Sequence, residues 1–179
     1  MAPSSRPFAA AAAALLLLLS ATGAAAVTNP AAAVLCRHSD FPVLCLRIAA
    51  PVANVNPVSL THAAIKAATK TAVRAKARAA VLTLSPRLSA VQKANLGSCV
   101  DGYGDVIDGL RDAGKFLTTT RTRADVMNYL SAASFGVTTC EDAFRETPRV
   151  QFPLARTNKT LRKYVSNALA MGDQLSLQW

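Results

Sequence analysis

Acidic residues are scarce in this chain: ten Asp and Glu stand against twenty Lys and Arg, for a formal net charge of +10. Aromatics are scarce too, at 6% of 179 residues with one tryptophan, Trp179. There are two histidines, His38 and His62, and neither sits in an H-E-x-x-H pair or beside a matching acid pair. A G-x-S-x-G elbow, a phosphate-cradling Gly-rich loop and a single reactive cysteine are also missing. Together these gaps exclude the familiar metal, nucleophilic and phosphoryl-transfer constellations, so the chain reads as a non-enzyme with no cofactor. Few rings to stack on bases also argues against nucleic acid. The excess of positive charge suits an acidic polysaccharide or another anionic surface, because such binding needs only a net field.

Strand signals are nearly absent, with no alternating runs of β-branched residues and no Asn-Gly or Asp-Gly hairpin turn between apolar segments. Helix signals are strong. Residues 59–84 are dense in alanine without Gly or Pro, and Pro57 and Pro86 stand at their two ends. Further helices are expected at 88–118, 124–144 and 158–177. In the last, Leu161, Val165, Ala168, Gly172 and Leu175 recur at steps of four and three, the inward seam of a bundle helix. Residues 29–51 are short and punctuated by proline, and read as two brief helical pieces folded on one another. The expected fold is therefore all-α, a four-helix up-and-down bundle (58–179) preceded by a short disulfide-stapled hairpin (27–57).

The first 26 residues have a basic start at Arg6, an Ala and Leu core and small residues ending in Ala24, Ala25 and Ala26. That pattern describes a secretory signal peptide, whose removal takes Arg6 from the charge count and leaves a single domain at 27–179 with no membrane segment. Secretion makes disulfides the expectation for Cys36, Cys45, Cys99 and Cys140. Three pairings are open, and the sequential one is the simplest; its loops would contribute about 3 and about 4 kcal/mol by chain entropy. The C-x8-C spacing does not suit zinc. Asn158-Lys159-Thr160 is an N-x-S/T sequon, expected on an exposed surface as a glycosylation site.

Against this basic background, "CVDGYGDVIDGLRDAG" at 99–114 gathers Asp101, Asp105, Asp108 and Asp112 at steps of four, three and four. Those steps put them on one helical face. Cys99, Tyr103, Val106 or Ile107, and Leu110 form a second stripe that looks inward. Gly102, Gly104 and Gly109 each cost a helix about 1 kcal/mol, so this helix needs its disulfide and neighbours to hold it.

Taken together, "CRHSDFPVLCL", "C-x3-Y" at Cys99 and Tyr103, "NYLSAASFGVTTCEDAF" at 128–144 and "SNALAM" near the end resemble the plant pectin methylesterase and invertase inhibitors, over residues 34–177. The resemblance implies a four-helix bundle with an N-terminal hairpin, first-to-second and third-to-fourth disulfides, and no catalysis. It implies a protein of the apoplast and cell wall that binds a wall enzyme, as a 1:1 complex, and blocks its cleft. The partner it favours is a pectin methylesterase, with acid invertase as the alternative: invertase inhibitors often carry Pro-Lys-Phe between the third and fourth cysteines, whereas this interval has no proline. The nearest likeness, Gly114-Lys115-Phe116, sits early. By position, the residues that would face the esterase are Asp101, Asp105, Asp108, Thr139 and Asp142. A weak contact with pectin itself would follow from the basic charge.

Overall fold

The computed structural model describes residues 29–119 and 122–175. Two short helices, α1 (Pro30–Cys36) and α2 (Pro42–Ala49), precede four long ones, α3 (Pro57–Thr83), α4 (Ala90–Thr119), α5 (Arg123–Arg145) and α6 (Ala155–Asp173). No strand occurs among the described residues. The expected signal peptide at 1–26 lies outside them.

Local chemistry starts each helix where it starts. Proline occupies the first helical position of α1, α2 and α3, where its missing N–H costs nothing and its fixed φ is already helical. Asn56 and Ser59 form a reciprocal box ahead of α3: Ser59 N–H donates to Asn56 Oδ1 at 2.9 Å and Asn56 N–H to Ser59 Oγ at 3.0 Å. Ser89 and Gln92 repeat the device ahead of α4, at 3.0 and 3.2 Å, and Thr122 Oγ1 accepts from Asp125 N–H ahead of α5.

The four long helices pack as a ring, α3 on α4, α4 on α5, α5 on α6 and α6 back on α3. Their inward stripes fill the centre. Helix α3 contributes Leu60, Ala64, Ala68, Ala72, Ala75 and Ala79, at most 1% exposed, a mostly methyl-sized seam that lets its neighbours come close. Opposite it, Tyr103, Val106 and Leu110 of α4, Leu130 and Val137 of α5, and Leu161, Val165 and Met171 of α6 supply the bulk. Val106 is the buried member of the Val106 and Ile107 pair, and Ile107 packs at the margin.

Disulfides join Cys36 to Cys45 across the α1–α2 hairpin and Cys99 to Cys140 between α4 and α5, with Cα atoms 5.6 and 4.2 Å apart. The hairpin is tied to α6 by polar contacts. Ser39 Oγ donates to the buried Asn167 Oδ1, Ser166 Oγ donates to Asp40 Oδ2 at 3.1 Å, and Gln174 Nε2 donates to Leu35 O at 3.1 Å.

Two expectations are corrected by the structure. Helix α6 begins at Ala155 rather than 158, and it ends at Asp173. The sequon therefore lies inside the helix, and Asn158 points inward: it is 2% exposed, and its Oδ1 accepts from the Tyr103 hydroxyl at 3.1 Å. The expected exposed surface position of the sequon is therefore not what the fold shows.

Candidate functional site

Helix α4 runs unbroken through its glycines because three glycines on the α4–α5 seam are where the two backbones meet. A Cβ placed on Gly102 would stand 2.6 Å from Gly136 O and 3.2 Å from Thr139 Cβ. One on Gly109 would stand 2.9 Å from Tyr129 O. The lost helix propensity is thus exchanged for close packing beside the Cys99–Cys140 disulfide. Gly104 faces elsewhere, toward the end of the Lys76 side chain, 2.9 Å from where its Cβ would be.

The close seam brings the candidate residues of two helices onto one ridge. Asp101, Asp105 and Asp108 are exposed on α4 and Asp112 is half-buried. Thr139 lies across the seam from Gly102, whose neighbour along α4 is Asp101. Its hydroxyl donates to Phe135 O at 3.3 Å. Asp142 follows Thr139 by three residues, on the same side of α5, half-buried with Arg145 Nη2 2.6 Å from its Oδ1. Asp108 is paired with Arg111 at 2.7 Å, both side chains more than half exposed, an arrangement worth at most about 1 kcal/mol. Neither Asp101, Asp105 nor Asp112 has an ion-pair partner among the described residues. The ridge therefore presents free carboxylates on a rigid backbone in a protein otherwise dominated by positive charge.

One residue of the ridge lies outside the candidate set carried over by position, although it falls within the 128–144 segment. Phe135 is 73% exposed, four residues before Thr139 and on the same face of α5. An aromatic ring of that exposure beside charged groups has the composition of a contact anchor. The period-four spacing to Thr139 was the available signal.

Beneath the ridge, Tyr103 is fully buried, with its hydroxyl 3.2 Å from Cys140 Sγ as well as on Asn158. Burial pushes its phenol pKa well above the usual 10.0. It is a fixed neutral strut between α4, the disulfide and α6. No group of His, Cys, Asp and Glu capable of holding a metal ion occurs among the described residues, and among them no helix is long and apolar enough to cross a membrane.

The fold has solved counterparts. A crystal structure of a mutant form of a pectin methylesterase inhibitor from Arabidopsis superposes with a TM-score of 0.67 at 22% identity, covering 79% of this chain and 95% of that one. Another, of a pectin methylesterase inhibitor from Arabidopsis thaliana, gives 0.61 at 21% identity, covering 83% and 97%. No curated protein matches the chain. The model of the plant invertase/pectin methylesterase inhibitor family matches residues 31–171, most of the sequence. On that match, the chain belongs to the plant invertase/pectin methylesterase inhibitor family, whose members are inhibitors and not enzymes.

Proposed function

We propose that the protein is exported after loss of residues 1–26 and inhibits a plant cell-wall pectin methylesterase, seating the α4–α5 ridge over the enzyme's substrate cleft as a 1:1 complex. The observation that carries this reading is the row of exposed carboxylates, the unpaired Asp101 and Asp105 with the Arg111-paired Asp108 beyond them, set next to Thr139 and Phe135. Complementary charge of this kind steers encounter and fixes register. An exposed ring supplies the apolar contact that charge alone does not. The esterase is preferred to invertase as target because the interval between Cys99 and Cys140 lacks the Pro-Lys-Phe segment, and because both solved counterparts named above are esterase inhibitors.

The test is a parallel titration of a pectin methylesterase and an acid invertase with the mature protein. Loss of esterase activity at an equimolar end point, with invertase untouched, is expected. Inhibition of invertase alone would overturn the choice of target.

A further inference from the structure

We propose that α3 carries a binding strip for a linear polyuronate, the acidic chain that pectin becomes when its methyl esters are removed. His62, Lys66, Lys70, Arg74 and Arg78 follow one another along α3 at steps of four, and all five are exposed. Each step advances about 6 Å along the axis, so the row extends about 24 Å. Like charges at that spacing destabilise a helix. A helix kept only for solubility would intersperse acids among them, yet α3 has no Asp or Glu in its 27 residues. Every ion pair among the described residues uses a cation from another helix, namely Arg111, Arg123, Arg145 or Arg162. The row is left uncompensated by any acid among the described residues.

The lower half of the row opens into a groove. It has a volume of about 1160 Å³ and lies between α2 and α3, where Arg47, His62, Lys66 and Lys70 surround an apolar floor that includes Leu44 and Tyr164. No acid lines it. Cations at the rim with apolar surface and one ring below suit a sugar acid, whose carboxylate meets the charge while its C–H face rests on the floor. The strip and groove are built on α2, α3 and α6 with Leu117 and Thr118 at the far end of α4, whereas the acidic ridge is built on the Asp101–Asp108 stretch of α4, about three turns away, and on α5. The two surfaces can therefore be occupied together, the ridge by an enzyme and the strip by the polymer that enzyme produces. An anionic membrane fits less well: the Leu60 to Ala79 stripe of α3 is buried in the bundle core, and the large apolar residues that helix exposes, Val73 and Val81, lie outside the groove and are interspersed with Arg74 and Arg78.

The choice of polyuronate rests on the wall-facing reading above, so the experiment separates the two. Retention on immobilised polygalacturonate would be measured for the parent, for Lys66→Gln with Lys70→Gln and Arg74→Gln, and for a control with equal charge loss, Arg87→Gln with Arg149→Gln and Arg156→Gln. The strip variant relieves like-charge repulsion and is expected to melt no lower than the parent. Its affinity should fall at least tenfold, with the control within threefold, and parent binding should weaken as methyl ester content or salt rises. Equal loss in the control would overturn the proposal, as would parent binding to fully esterified pectin that is as tight, or tighter binding to heparin or to phosphatidylserine vesicles. Esterase inhibition, assayed with soluble esterified pectin, should be the same for parent and strip variant. A parent that binds polygalacturonate yet inhibits no esterase supports the strip and removes the proposed function, and the converse result removes only the strip.

Discussion

Gly102 of α4 and Gly136 of α5 face each other so closely that each carbonyl oxygen occupies the space the other's side chain would need, 2.6 Å from a Cβ on Gly102 and 2.5 Å from one on Gly136. The obstacle on both sides is helical backbone, which cannot swing aside. Replacing a helical glycine by alanine ordinarily gains about 1 kcal/mol, but forced overpacking costs about 1–3 kcal/mol. Gly102→Ala and Gly136→Ala are therefore expected to lower stability by up to about 2 kcal/mol rather than raise it. Gly97→Ala, where nothing lies within 4 Å of the new methyl, should raise it by up to about 1 kcal/mol. Denaturant unfolding of the three variants checks the contrast, and a stabilised Gly102→Ala would show that the helices do not approach as described.

The Tyr103–Asn158 bond yields a second expectation. Tyr103→Phe leaves a buried amide oxygen without its donor, a loss of about 1–3 kcal/mol, and protein recovered from a plant secretory host should carry no glycan at Asn158. Intact mass before and after deglycosylation reads the second point directly. A folded, active protein glycosylated at Asn158 would contradict the inward orientation of that residue.

Alkaline pH offers a third. Burial raises the Tyr103 phenol pKa in the folded state above its unfolded value of 10.0. The unfolded chain then loses this proton first as pH rises, so the contribution of the group is constant below about pH 10 and stability falls above it. Subtracting the unfolding free energies of Tyr103→Phe from those of the parent should isolate a difference flat from pH 7 to 9 and declining from pH 10 upward. A difference that stays flat above pH 10 would mean that burial does not raise the phenol pKa.

The helices and their order were legible from the alanine-dense run between Pro57 and Pro86 in α3, the Cys99, Tyr103 and Leu110 stripe in α4 and the Leu161 to Leu175 seam in α6. Three things were not. The sequon at Asn158 looks like a surface triplet by composition, and only the start of α6 at Ala155 turns its side chain inward. The glycines at 102 and 109 count as helix-weakening in one dimension, since propensity describes an isolated helix and carries no information about a facing backbone. The acidic stripe was readable as a face. That Thr139 and Phe135 sit beside it was not, because it depends on the glycine seam setting the distance between α4 and α5.

Phe135 supplies a fourth expectation. With most of its ring in solvent, Phe135→Ala should leave the melting temperature nearly unchanged. If the ring anchors the esterase contact, inhibition should weaken by about 2 kcal/mol or more, close to thirtyfold. Equal inhibition by the variant would remove the ring from the proposed interface while leaving the carboxylates in it.

The docking role of the ridge is tested most directly by the association kinetics of Asp101→Asn, Asp105→Asn and Asp108→Asn combined, measured against a pectin methylesterase beside the parent. The change keeps side-chain size, and the three residues are exposed, so helicity and melting should barely move. Carboxylates desolvated within an interface are worth about 2–5 kcal/mol when one partner is lost, and those at the rim act mainly on the association rate. The account predicts inhibition at least tenfold weaker in the triple variant, with slower association and a shallower dependence of that rate on salt than the parent shows. A triple variant that associates as fast and inhibits as well as the parent would contradict it, and would leave the acidic stripe as nothing more than a solvated helix face.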